Sequence, residues 1–200
     1  TGAGKRLGRA MALELAAEGF DVAVHYASSK SDADKVVSDI EALGRKACAL
    51  HADLTNEADM QALLPHAAEV LGGPLDVLVN NASIFEYDNI GTATRESWDR
   101  HIESNLRAPV VLTQAFAAQA PKAQNDAQGE PVATGLVVNM LDQRIRKLTP
   151  EFTSYTIAKM GLWAFTRTAA QSLAPAVRVN AIGPGPTMRG GRQSEDHFAR

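Results

Sequence analysis

Cysteine is nearly absent. Cys48 is the only one in 200 residues, so no internal disulfide can form, and a reducing compartment is the expected setting. Long apolar runs are missing too: none reaches about eighteen residues, the length that would read as a membrane span. Net charge is −3, which gives no electrostatic case for nucleic acid or an anionic membrane surface. The five histidines, His25, His51, His66, His101 and His197, show no metal-ligand spacing, so no metal site is expected. What remains is ordinary: 45% apolar and 22% charged residues, as in an average soluble globular protein. The expectation is one soluble cytoplasmic domain with a real core.

Strand and helix patterns alternate along the chain. "RLGRAMALELAAEG" has the apolar spacing of an amphipathic helix closed by Gly19. "DVAVHY" reads as a strand, and "SDADKVVSDIEALG" as a helix capped by Ser31 or Asp32 and stopped by Gly44. "KACALHA" is a strand that holds Cys48 as a small, inert residue. The helix in "NEADMQALLPHAAEVLGG" should kink or break near Pro65. "LDVLVNNA" is apolar enough for a buried parallel strand. A long helix from about Arg95 to Gln119 contains Pro109, and a polar surface loop, "APKAQNDAQGEPVATG", follows. Then come the strand "LVVNML", a helix from Thr153 to Leu173, and the strand "VRVNAI" running into a Pro/Gly loop. Trp98 and Trp163, both on helices, fit either core or subunit contacts.

This order predicts an α/β fold: a doubly wound parallel sheet of Rossmann type, a single domain over residues 1–200. A glycine-rich turn normally follows a strand, yet here it opens the chain. The expectation is a fragment, cut at both ends and lacking its first strand. Ligands in such folds sit at the carboxyl ends of strands. The turn at residues 1–8, the stretch Asn80 to Phe85, Asp142, and Gly183 to Pro186 all fall there.

The turn "TGAGKRLGRA" does not fit a phosphate-loop NTPase, because Lys5 is followed by Arg6 rather than Ser or Thr. It also misses the Gly-x-Gly-x-x-Gly spacing, since Gly8 comes one residue late. Gly2, Gly4 and Gly8 still allow a ligand close to the backbone, with the helix N-terminus behind it. A cofactor of the NAD type would call for an acid after the second strand. This chain has "HYASSK" and no carboxylate before Asp32. Ser28, Ser29, Lys30 and Arg6 would instead donate to a 2′-phosphate, which favours NADPH.

Tyr155 and Lys159 stand four apart, on one helix face, with Asp142 thirteen residues ahead of the tyrosine. A lysine one turn away can stabilise a phenolate, whose ordinary pKa is about 10. Thr1-Gly2, Gly8, Asn80-Asn81-Ala82, Asn105, Tyr155-x-x-x-Lys159 and Pro184-Gly185 occur in that order. Together they resemble the short-chain dehydrogenase/reductase family over essentially the whole chain. That pattern carries a strand before the Thr-Gly turn and further residues after the Pro-Gly loop. Two departures, Arg6 where most members have Gly and Asp142 where most have a catalytic Ser, are similar to the pteridine reductase branch. That branch includes bacterial dihydromonapterin reductases. "NNASIF" is similar to it as well, with an aromatic at Phe85. One mismatch is Ser28, where the branch can carry an Arg near the 2′-phosphate.

The resemblance implies a catalytic set of Asp142, Tyr155, Lys159 and Asn105. It implies cofactor contacts from Gly2, Arg6, Leu7, Gly8, Ser29, Asp53, Leu54, Asn81, Ala82, Ser83, Lys159, Pro184 and Gly185. Arg6, Phe85, Asp142 and Tyr155 would face the substrate, a pterin or folate. Asp142 would accept from ring N–H and amino donors and orient Tyr155, the proton donor. Lys159 would lower the Tyr155 pKa, and Asn105 would hold a water leading from Lys159 to solvent. As a bare residue Asp53 reads equally well as a helix cap. A homotetramer built through the long helix and the Tyr-bearing helix is also implied. Two other readings stand beside this one: a carbonyl reductase acting on a 3-oxoacyl thioester or sugar ketone, and a nucleotide-binding regulator without catalysis.

Overall fold

A computed structural model of the chain describes residues 1–185, 187 and 188. Pro186 and His197 lie outside the described residues. The observed order follows the predicted alternation. Strands β1 (Val22–Tyr26), β2 (Ala47–His51) and β3 (Val77–Asn80) come after helices α1 (Arg6–Ala17), α2 (Lys30–Ala42) and α3 (Glu57–Leu71) respectively. Helices α4 (Arg95–Ile102) and α5 (Ala108–Gln119) are followed by a small pair, β4 (Gln124–Asn125) and β5 (Pro131–Val132). Strand β6 (Gly135–Met140), helix α6 (Thr153–Leu173) and strand β7 (Val177–Ile182) complete the order.

The parallel strands form two pieces, β1–β2 and β3–β6–β7. The facing edges of β1 and β3 do not hydrogen-bond to each other. A slot of about 520 Å³ lies between them, with Val22, Ala23 and His25 on one side and Val77, Leu78 and Val79 on the other. The first three residues tie the two pieces together at the carboxyl ends of their strands. The Thr1 amino group donates to the Val79 carbonyl at 2.7 Å, and Ala3 N–H donates to the His25 carbonyl at 3.0 Å.

Two apolar cores hold the helices to these strands. One packs Met60 and Leu64 of α3 and Leu112 and Phe116 of α5 against Val137 and Val179. The other packs Ala12 and Ala16 of α1 and Val36 and Ile40 of α2 against Val24. Each fully buried Phe, Leu or Ile contributes on the order of 1.5–3 kcal/mol.

Four local expectations are corrected. Helix α2 begins at Lys30 with Ser29 as its N-cap, so Ser31 and Asp32 sit inside the first turn. Asp32 is still well placed there, against the positive end of the helix dipole. Helix α3 runs unbroken through Pro65, which is exposed, so the missing donor falls on the solvent side. The long helix is interrupted by a π turn, Glu103–Arg107, directly before Pro109. A proline cannot donate an i−4 bond, and a widened turn accommodates that loss. The polar loop after α5 contains the antiparallel pair β4–β5, held by the Asp126 carboxylate accepting from the N–H groups of Gln128 and Glu130.

The stops of α1 and α2 are as expected. Gly19 and Gly44 both take positive φ, at 97° and 78°. Gly8 matters more. A Cβ built there would lie 2.2 Å from the Gly2 carbonyl oxygen and 2.6 Å from Asn81 Nδ2. Backbone would have to move to admit it. We expect Gly8→Ala to lower the unfolding free energy by about 2 kcal/mol, as overpacking does. Urea denaturation checks this, and an unchanged midpoint would show that the turn relaxes freely.

Candidate active site

A cleft of about 760 Å³ opens at the carboxyl ends of the strands. The glycine turn forms one end of it. Thr1 Oγ1 accepts from the N–H groups of Asn81 and Ala82, each at 2.9 Å. Asn81 Nδ2 donates to the carbonyls of Thr1 and Gly2, at 2.9 and 3.2 Å. The turn and the β3 end are thereby locked to each other. Gly2 has φ +59° and approaches Ala82 so closely that a Cβ would lie 2.9 Å from its Cα. Lys5, at the N-cap of α1, makes no side-chain cap, so the first turn of that helix keeps its N–H donors for a ligand. This open glycine cradle at a helix N-terminus fits the pyrophosphate of a dinucleotide.

His25 supports the cradle from below. Gly2 N–H donates to its Nδ1 at 2.9 Å, so Nε2 carries the proton and donates to the Ala52 carbonyl at 3.0 Å. Burial lowers its pKa from 6.5 to about 4. The ring is structural, as expected of the histidines. His101 is likewise fully buried.

Every residue expected at the site lines this cleft except Asn105 and Lys30. Arg6 has φ +48° and donates to the Met188 carbonyl at 3.1 Å, reaching across to the segment after Pro184 and Gly185. Leu7, Gly8, Ser29, Asp53 and Leu54 line the end formed by the turn and the ends of β1 and β2. Ser28 is there as well. Lys30 is not: it is paired with Asp34 at 2.7 Å in solvent, because the early start of α2 places them one turn apart. Asp53 accepts from both the N–H and the hydroxyl of Thr55, which lowers its pKa.

Tyr155, Asp142 and Lys159 meet at the other end. Strand β6 delivers Asp142 just past its carboxyl end, and the first turn of α6 delivers Tyr155. The tyrosine hydroxyl donates to Asp142 Oδ2 at 3.0 Å. Lys159 is 2% exposed and donates to the Met140 carbonyl at 2.7 Å. Its nitrogen lies 5.8 Å from the Tyr155 ring centre. Burial lowers the Lys159 pKa to about 8, partly opposed by the Asp142 charge. Burial, then the Asp142 charge and hydrogen bond, push the Tyr155 hydroxyl above its ordinary range, while Ser83 pulls it down. Lys159 is expected to lower the tyrosine pKa; the net direction of the shift is instead upward. Burial is the larger cause, and the carboxylate that accepts from the hydroxyl adds to it. The tyrosine is held in its protonated form.

Asn105 sits in the π turn and is fully buried. Its amide closes on one residue: Ile84 N–H donates to Oδ1 at 3.1 Å, and Nδ2 donates to the Ile84 carbonyl at 2.8 Å. Both halves of the amide are thus engaged with the backbone that carries Phe85.

Phe85 is 39% exposed and stacks on Phe152, with ring centres 4.3 Å apart and planes 13° from parallel. Tyr155 meets it edge-on at 4.7 Å. The Arg144 guanidinium lies 4.7 Å from the Phe152 centre and 5.9 Å from that of Phe85. Sequence reasoning missed Phe152 and Arg144. The aromatic three residues before the tyrosine was the available signal, but only a folded loop shows which ring it meets.

A parallel α/β domain with a glycine cradle and a Tyr/Lys pair at its strand ends defines a Rossmann-type oxidoreductase scaffold. The chain matches the short chain dehydrogenase family over residues 1–197 and belongs to it. The FolM alternative dihydrofolate reductase 1 of Brucella suis, solved in complex with NADP, is 42% identical with a TM-score of 0.89; the match covers 99% of this chain and 75% of that one. Its Brucella canis counterpart, also with NADP, is 40% identical with a TM-score of 0.86, covering 98% and 74%. The 3-oxoacyl-acyl-carrier-protein reductase FabG of Staphylococcus aureus is 32% identical over 186 residues, covering 92% of this chain and 72% of the relative.

The buried His25 sets a pH limit. Above pH 6.5 the ring is neutral folded and unfolded, and its contribution to stability is level. Between 6.5 and about 4 only the unfolded chain binds the proton, so stability falls as pH falls. We expect a loss of about 1–2 kcal/mol from pH 6.5 to pH 5. His25→Gln, which keeps one acceptor and one donor, should flatten that slope in urea titrations. An equally steep slope would place the acid sensitivity elsewhere.

Proposed function

We propose that the protein is an NADPH-dependent reductase of a dihydropterin or dihydrofolate, in the pteridine reductase branch of its family. The observation that carries this reading is Asp142, an anion bonded to the Tyr155 hydroxyl where a serine would serve a ketone. A ketone oxygen only accepts hydrogen bonds, so a carboxylate beside it repels it. A pterin presents ring N–H and amino donors, which a carboxylate accepts well. The Phe85 ring in the same cleft gives a flat heterocycle a face to stack on. The likeness to the two Brucella reductases supports the same reading.

The glycine cradle and the α1 N-terminus would hold the cofactor's phosphates. Ser29 and Arg6, with no carboxylate in the stretch from His25 to Lys30, favour a 2′-phosphate over a bare ribose. Bound NADPH supplies hydride. This chain's residues would then do five things. Lys159 would donate to the nicotinamide ribose. Tyr155 gives its proton to the substrate. Asp142 accepts from the substrate's amino side and keeps the tyrosine protonated until then. Phe85 and Arg6 bracket the ring and its carbonyl edge. Asn105 holds the Ile84 backbone and with it the Phe85 loop.

A second reading, carbonyl reduction, is favoured by the FabG relative and would leave the Tyr155/Lys159 chemistry intact. We also propose a cytoplasmic homotetramer. The groove between α5 and α6, lined by Ala117, Ala118, Phe165 and Leu173, supports association there.

The test is NADPH oxidation with a dihydropterin, dihydrofolate and a set of ketones in parallel. Oxidation that depends on the dihydropterin or dihydrofolate is expected, and oxidation with ketones alone would replace this reading with the second. Tyr155→Phe should cut turnover by at least about a hundredfold, the usual scale of general acid catalysis, with NADPH affinity unchanged. Retained turnover would remove the tyrosine from its role.

A further inference from the structure

Beneath the aromatic wall lies a buried chain of three polar side chains that the catalytic chemistry does not use. Asp88 is 1% exposed, and His101 and Ser154 are fully buried. Glu86 N–H donates to His101 Nε2 at 3.1 Å, so the ring proton is on Nδ1. That proton goes to Ser154 Oγ at 2.6 Å. The serine hydroxyl in turn donates to Asp88 Oδ2 in a short hydrogen bond. The other Asp88 oxygen accepts from Ser154 N–H at 3.3 Å, which caps the first turn of α6 from a distant loop.

The same aspartate controls Phe152. This residue takes φ +58°, a left-handed conformation that a residue with a side chain adopts only when its surroundings hold it there. Its N–H donates to the Asp88 carbonyl at 2.6 Å. Held this way, its ring stacks on Phe85, meets Tyr87 edge-on at 5.4 Å, and lies beside Arg144. His101 also touches the site directly, with its ring centre 6.0 Å from that of Tyr155. Three segments are joined at one point: the loop after β3, helix α4 and the start of α6.

We propose that Asp88, Ser154 and His101 form a latch that fixes Phe152 and, through it, the aromatic wall on the substrate side of the cleft. They are positioning residues. They touch neither the glycine cradle nor Lys159, so their effect falls on the substrate and spares the cofactor. The inference rests on the reading that the Phe85 wall faces the substrate.

The experiment is a double-mutant cycle on the full chain with Ser154→Ala and Phe152→Ala. KM and kcat are measured for dihydrofolate, or for a 3-oxoacyl thioester if that is what the enzyme reduces, and NADPH affinity is measured by fluorescence. Ser154→Ala is expected to raise the substrate KM about tenfold and leave the NADPH dissociation constant within twofold. In the Phe152→Ala background the same substitution should add less than twofold, because the ring it positions is gone. A merely structural serine would act equally in both backgrounds, and that result overturns the latch. Equal losses of substrate and cofactor affinity would also overturn it. If Phe152→Ala leaves KM unchanged, the wall does not face the substrate, and the underlying reading fails with it. Should Ser154→Ala not fold, Asp88→Asn takes its place in the same cycle.

Discussion

The hydrogen bond from the Tyr155 hydroxyl to the Asp142 carboxylate fixes the character of the site. It joins the end of β6 to the first turn of α6 and places a negative charge beside the phenol. The hydroxyl is buried, so that charge is felt at low dielectric and keeps the proton in place. Lys159 answers from beneath. It is nearly inaccessible, yet its pKa falls only to about 8, so it stays cationic at neutral pH. Acid, phenol and amine form a compact unit whose net charge is near zero. A positively charged nicotinamide ring beside it would ease proton release.

Around that unit the fold spends its polar groups on holding loops still. Thr1 and Asn81 lock the glycine turn to the end of β3. Asn105 grips the backbone of Ile84 from the π turn. Asp88 reaches the start of α6. Each of these side chains is satisfied by groups distant in sequence, and each brings a loop to a strand end. Preorganisation of this kind lets a site bind and orient a substrate without rebuilding itself.

Much of this was legible in the sequence. The helix and strand periodicities placed the parallel strands and the large helices, and the glycine stops at Gly19 and Gly44 ended α1 and α2 as expected. The cleft collected nearly every residue that the motif resemblance singled out, because strand-end positions are fixed by chain order once the sheet is parallel. What escaped was set by long-range contacts. The π turn depends on how Pro109 is accommodated in a packed helix. Lys30 was lost to Asp34 because the helix starts at Lys30 rather than after Ser31. The sense of the Tyr155 shift depends on burial, which spacing cannot supply. Phe152 and the Asp88–Ser154–His101 chain are invisible until the loop after β3 is laid against α6.

We propose that an anion at position 142 selects a substrate bearing N–H donors. The most direct measurement is the ratio of kcat/KM for dihydrofolate to that for a 3-oxoacyl thioester, in the natural enzyme and in Asp142→Ser. We expect a ratio well above one that drops by about a hundredfold or more in the variant, as a site loses its discrimination when a paired polar group is removed. A natural enzyme that prefers the thioester, or a ratio that Asp142→Ser leaves unchanged, would contradict it.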